Sequence, residues 1–332
     1  MNVKYMFSLV AVLLLILLSY AGAEAAGMKT FFGIFIPYIA VAVFLVGFIW
    51  KIVGWAKSPV PFRIPSTCGQ QKSLPWMSYS YTDSPYTKTG VVLRMALEVL
   101  LFRSLFRNTK FEQHGDRLAY RWEKWLWLFA LLFHYAFLVT VIRHLRFFAE
   151  PVPFFVQWLE ELDGFLQLGL PGLFLSGVAL AAAGIFLLLR RMYLAEMRYI
   201  SLPSDYFPLF LIIGIAVSGI MMRYFTKVDV VAVKELTLGL VTFGPTIPEG
   251  VGGLFYVHMF LVCVLLIYFP FSKLMHLGGI FMSPTRNLPN NSRAVRHVNP
   301  WNYPVKVHTY EEYEEEFRDK MVEAGLPVEK GA

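Results

Sequence analysis

Residues 126–148 read LWLFALLFHYAFLVTVIRHLRFF. As a helix rising 1.5 Å per residue, this stretch reaches ~35 Å, enough to cross a hydrocarbon core of roughly 30 Å. It nevertheless carries His134 and His144. Ionisable side chains inside a membrane helix are costly and mark function. A second stretch, LFYVHMFLVCVLLIYFPFSKLMH at 254–276, carries His258 and His276 in the same way. Four of the seven histidines thus fall on two apolar blocks.

Further apolar blocks lie at 6–23, 31–55, 170–189 and 207–224. Only helices and closed barrels span lipid, and these blocks lack the alternation of barrel strands. The fold class is all-α, a polytopic transmembrane helix bundle. It has six helices, or five if the segment 1–26, with its small-residue run Ala21-Gly22-Ala23, is a signal peptide that is removed. Composition agrees: 57% of the 332 residues are hydrophobic and 16% charged, against about 25% charged in soluble domains. The net charge of +7 does not point to nucleic acid, because the basic residues gather beside apolar blocks. Neither C-x-x-C nor C-x-x-C-H occurs. The chain therefore supplies neither a thiolate iron–sulfur site nor covalent heme attachment.

The connections alternate in charge. Residues 56–125 hold eleven Lys and Arg, whereas 149–169 hold none but carry Glu150, Glu160, Glu161 and Asp163. Arg190, Arg191 and Arg198 follow the fourth block, and the tail is again basic as far as Lys306. By the positive-inside rule, 56–125, 190–205 and the C-terminus are cytoplasmic. The chain divides into 1–26, a signal-like segment or first helix; 27–56, a membrane helix; 57–124, a cytoplasmic loop; 125–279, a four-helix core; and 280–332, a cytoplasmic tail. Within the loop, 91–110 places Arg94, Arg103 and Arg107 among Leu, Val and Phe, as in an amphipathic helix at the interface. A short charged helix is expected near 310–324.

With this topology His134 and His276 lie towards the cytoplasm, and His144 and His258 lie towards the outside. Facing helices of a bundle build bis-histidine heme sites in this way. The spacing of 10 separates one pair by ~15 Å and the spacing of 18 the other by ~27 Å, a mismatch of ~12 Å for helix tilt to absorb. Ten residues also miss the same face by ~80°, so the 126–148 helix is expected to be tilted, curved or rewound. Arg143 and Arg146 beside His144, and Arg223 on the fifth block, are candidates for heme propionates or for snorkelling to headgroups. Gly164, Gly169, Gly172, Gly177, Gly184, Gly214 and Gly219 offer room for a macrocycle or for close helix packing. His114, His297 and His308 read as solvated or partner-facing, Cys263 as packing, and Cys68 as a loop cysteine.

The spacings His134/His144 and His258/His276 resemble those of the gamma, cytochrome b, subunit of respiratory nitrate reductase. The resemblance covers roughly residues 125–279 and implies two heme b groups, one held by His144 and His258, the other by His134 and His276. The stretch TKTGVVLRMALEVLLFRSLFRNTK at 87–110, followed by the same core, is similar to the cytochrome b subunit of the dissimilatory sulfite reductase-associated membrane complex (DsrM). That resemblance implies menaquinone, a cytoplasmic heterodisulfide-reductase-like iron–sulfur partner, and anaerobic sulfur or sulfate respiration.

The function expected is a cytochrome b subunit of the cytoplasmic membrane, exchanging electrons between menaquinol and that partner. No residue of the chain is expected to be catalytic in its own right. Arg146 and Glu150 are the acid–base candidates beside the outer pair, and 91–110 with Trp301, Tyr303 and Tyr310 of the tail are the candidate partner contacts. The rival expectation is a heme-free proton-coupled transporter or scaffold whose histidines relay protons. Such relays mix Asp and Glu with His inside the helices, and these spans carry almost none.

Overall fold

The computed structural model describes residues 3–58, 60, 64, 69–164, 172–292, 294–295 and 307–329. Among them, six helices are long and apolar enough to cross a membrane, as the sequence requires. In chain order the α-helices of seven or more residues are α1 (Val3–Tyr20), α2 (Ile36–Lys57), α3 (Lys88–Leu101), α4 (Lys124–His144), α5 (Phe154–Asp163), α6 (Leu175–Tyr193), α7 (Pro203–Met221), α8 (Val230–Val241), α9 (Gly253–Tyr268), α10 (His276–Met282) and α11 (Tyr310–Glu323). The spans are α1, α2, α4, α6, α7 and α9. Packing runs α4–α6–α7–α9–α2, and α1 lies in the groove between α7 and α9.

The first helix packs as a member of the bundle. Val12 is buried against α7 and α9, and the Ser8 hydroxyl donates to the Pro203 carbonyl at 2.8 Å. Where α6 meets α7, Gly184 lets Ile213 approach within 3.2 Å of the position a Cβ would take. The two ends of the bundle sort by charge. At the basic end Glu123 bridges Lys110 at 2.8 Å and Arg190 at 2.6 Å. Burial alone would raise the Glu123 carboxyl, but these two cations outweigh it and hold it below the usual carboxylate range. Asp83 is likewise held low by Arg107 and Arg103 against the opposing effect of burial. At the opposite end Lys234 pairs with Glu150, and the Thr237 hydroxyl donates to the Phe147 carbonyl at 2.5 Å.

Three features depart from the sequence expectation. The helix bearing His258 does not run on to His276. It ends at Tyr268, passes through the 3-10 turn Phe269–Phe271 and extended Ser272, and restarts through a second turn, Lys273–Met275. Pro270 cannot donate to the helix ladder, and the Ser272 hydroxyl accepts from the Leu274 amide to begin the new turn. The 18 residues are therefore not a straight ~27 Å rise. Of the tilt, curvature or rewinding expected in 126–148, local rewinding does not occur, because α4 stays α-helical through His144. Because His276 sits on α10, it need not share an azimuth with His258.

The second departure is a hairpin, β1 (Thr109–His114) paired antiparallel with β2 (Arg117–Trp122). Its alternation and the turn at Gly115 (φ +61°) are its cause. One face gathers Phe111, Leu118, Tyr120 and Trp122, and the other Lys110, Glu112, Arg117 and Arg121. The third is α3, whose charged side turns inwards (below). The tail helix forms at Tyr310–Glu323 as expected, opened by the Thr309/Glu312 capping box.

Candidate functional site

The four helix-borne histidines come together as two pairs. The imidazole centroids of His134 and His276 are 5.8 Å apart with planes crossed at 84°; those of His144 and His258 are 6.3 Å apart and near-parallel at 16°. A metal held between two imidazole nitrogens by bonds of roughly 2 Å sets the ring centroids about 6 Å apart. Both pairs have that opening.

The acceptor that each ligand would need on its other ring nitrogen is present four times. His134 Nδ1 donates to the Ala130 carbonyl at 2.7 Å, His144 Nδ1 to Thr140 at 2.6 Å, and His276 Nδ1 to Lys273 at 2.9 Å. The Ser218 hydroxyl donates to the Ile215 carbonyl and so accepts from His258 Nδ1, at 2.9 Å. In all four, Nδ1–H is committed and Nε2 keeps its lone pair, which is the tautomer a metal-binding imidazole requires. Backbone carbonyls carry no residue signature, so three of these acceptors could not be read from sequence. Ser218, a lone hydroxyl in an apolar run, could have been.

The neighbours shape the openings. A Cβ on Gly219 would come within 3.3 Å of His258 Cε1, so glycine is what admits this ring. The expected result for Gly219→Ala is a displaced His258 and loss of ligation on that side, with the other pair intact; Ser218→Ala keeps ligation but frees the ring to rotate. A pigment-to-protein ratio and a low-spin resonance spectrum of each variant check both. Phe102 and Phe133 stand edge-on to His134 at 5.0 and 5.4 Å. Among the described residues no group of three or more His, Cys, Asp or Glu gathers as a metal cage. Two nitrogens on opposite sides suit an iron whose remaining four positions belong to a macrocycle. The donor set therefore fits heme.

Arg143 beside His144 is buried, donating to Asp163 at 2.8 Å and to the Ser176 hydroxyl at 3.1 Å. Asp163 also accepts from the Ser176 amide and hydroxyl at 2.7 and 2.6 Å. Arg143 and Arg223 both stack on Phe174, their Cζ atoms 3.3 and 4.0 Å from the ring centroid. Asp163 thus pairs with Arg143 while Arg223 shares its aromatic platform, and Arg143 Nε is buried with no acceptor, leaving capacity for a further anion. Arg146 is held by both oxygens of Glu160, at 2.7 and 2.9 Å. Asp163 reads in the sequence only as one acidic loop residue; its role appears once α5 folds back onto α4.

The remaining candidates lie apart from the pairs. His114 is exposed on the hairpin beside Glu112, and His308 is 3.8 Å from Glu316. Cys263 is buried and free. Gly177 has open space around it, and Gly164 caps α5. Cys68, Gly169, His297, Trp301 and Tyr303 lie outside the described residues.

A multi-pass helical bundle with paired, membrane-borne histidines defines the membrane b-type cytochromes. Residues 81–297 match the nitrate reductase gamma subunit family, and the chain belongs to that family. It is 50% identical over 277 residues to the Hdr-like menaquinol oxidoreductase cytochrome b-like subunit of Archaeoglobus fulgidus, covering 81% of this chain and 83% of that one. The protein of the same description from Archaeoglobus profundus is 48% identical over 275 residues, 80% of this chain and 81% of that one. The family implies heme b and an interaction with quinone.

Proposed function

We propose that the chain is a di-heme cytochrome b subunit passing electrons between menaquinol and a cytoplasmic iron–sulfur partner related to heterodisulfide reductase, in anaerobic sulfur or sulfate respiration. The observation that carries this reading is the double pairing, with centroids 5.8 and 6.3 Å apart at two levels of one bundle. His134 and His276 would hold the inner iron, and His144 and His258 the outer. When bound, heme supplies reversible one-electron oxidation and reduction of its iron.

The chain's own residues do the rest. Carbonyl and serine acceptors fix each imidazole, and α4 sets the separation of the two sites. Arg143 and Arg223 offer charge to a propionate beside His144. The quinol side is the outer end, where Arg146 and Glu150 flank the outer pair. Both stand in ion pairs there, with Glu160 and Lys234. Glu150 remains exposed, open to a quinol at that end. The partner's side is the basic end, which carries the hairpin's aromatic face; the tail helix α11 is assigned to the same side by charge and topology. The names of the Archaeoglobus relatives support both menaquinol and an Hdr-like assembly. The basic end is assigned to the cytoplasm, in the cell membrane, by its excess of Lys and Arg.

The test is the reduced-minus-oxidised spectrum of the purified chain with a menaquinol analogue as reductant. A b-type α-band that appears with menaquinol and is slowed in Glu150→Gln is the expected result. A band that appears with dithionite but never with menaquinol would overturn the quinol reading.

A further inference from the structure

We propose that α3 is a half-membrane helix, sunk into the leaflet at the basic end of the bundle with Val92, Leu93 and Leu100 against lipid acyl chains. The helix is inside out by the standard of a water-exposed surface. Arg94 and Glu98, one turn apart, are 6% and 9% exposed, whereas Val92 and Leu100 are 69% and 55% exposed. Glu98 turns inwards to Arg286 at 3.5 Å and accepts from the Ser104 amide at 3.1 Å. A helix lying on the surface with water above it would show the reverse pattern.

The end of the helix carries the second observation. Water normally satisfies the last carbonyls of an exposed helix. Here side chains of α4 do so: Trp127 Nε1 donates to the Leu101 carbonyl at 2.7 Å, and the Tyr135 hydroxyl to Leu100 at 2.9 Å. The amide of Phe102, in the left-handed region at φ +50°, closes onto the Leu97 carbonyl. Internal satisfaction of every backbone group is the condition for residence in hydrocarbon. Depth follows from the same contacts. Tyr135 lies eleven residues past Lys124, roughly 16 Å along α4. Leu128, Leu132 and Tyr135 are themselves outward-facing on that span, so the apolar face of α3 continues a lipid-facing surface. One consequence is that Phe102 closes His134 off from the aqueous side.

The experiment is spin labelling of the full chain in liposomes, with Cys68→Ser and Cys263→Ala as background and single labels at Val92, Leu93 and Leu100. Leu138 of α4 serves as the lipid reference and Tyr313 of α11 as the aqueous reference. Collision with oxygen should exceed collision with a water-soluble nickel chelate severalfold at all three positions, as at Leu138. Nickel accessibility equal to that of Tyr313 would overturn the proposal. So would nickel accessibility in the isolated chain that disappears on assembly, which would make this face a protein interface. If one label prevents folding, the other two positions read the same face.

Discussion

Replacing His144 with alanine is expected to remove one b-type heme and leave the other in place, and His258→Ala is expected to give the same spectrum. A bis-histidine site stripped of one ligand loses half of its axial coordination, and among the described residues no third His, Cys, Asp or Glu is placed to replace it. The surviving pair has its own acceptors, Ala130 and Lys273, which neither substitution touches. His134→Ala and His276→Ala should remove the complementary component. The two components are distinguishable because the ring planes differ, 84° in one pair and 16° in the other. Crossed imidazoles leave the iron d orbitals nearly degenerate and give a highly anisotropic low-spin signal. Near-parallel imidazoles split those orbitals and give a rhombic one. Loss of the rhombic signal should therefore accompany changes at His144 or His258.

The second large effect is expected at Asp163. Asp163→Ala takes from Arg143 the carboxylate it bonds, while Arg223 still stacks on the same Phe174 ring, and removes the acceptor for the Ser176 amide. Breaking a buried ion pair from one side costs about 3–5 kcal/mol. The loss should appear as a lower denaturation midpoint and as weaker retention of the outer heme, since Arg143 adjoins His144. Asp163→Asn keeps an oxygen for the Ser176 amide and should lose less. A midpoint unchanged in Asp163→Ala would mean that α5 does not hold the outer end of α4.

The sequence made the histidines legible because an ionisable ring in an apolar span has few structural reasons to be there. Depth then paired them, since topology follows from charge and charge is written in residue types. What stayed hidden depended on backbone and on direction. The acceptors on Ala130, Thr140 and Lys273 are backbone carbonyls, which every residue type carries. The break before His276 had a visible sign, Pro270 and then Ser272, yet the spacing of 18 invited a continuous helix and the ~27 Å rise that goes with one. The hairpin also had its sign, alternation either side of Gly115-Asp116, masked by the helical patterns around it. For α3, the i, i+4 placement of Arg94 and Glu98 fixes that they share a face, but not whether that face looks in or out.

Heme content of double variants tests the pairing most directly. The proposed reading gives two hemes per wild-type chain, and on it His144→Ala combined with His258→Ala should retain one, because both changes fall on the same site. His134→Ala combined with His144→Ala should retain none. One heme in the second double variant, or none in the first, would contradict the pairing and the architecture built on it.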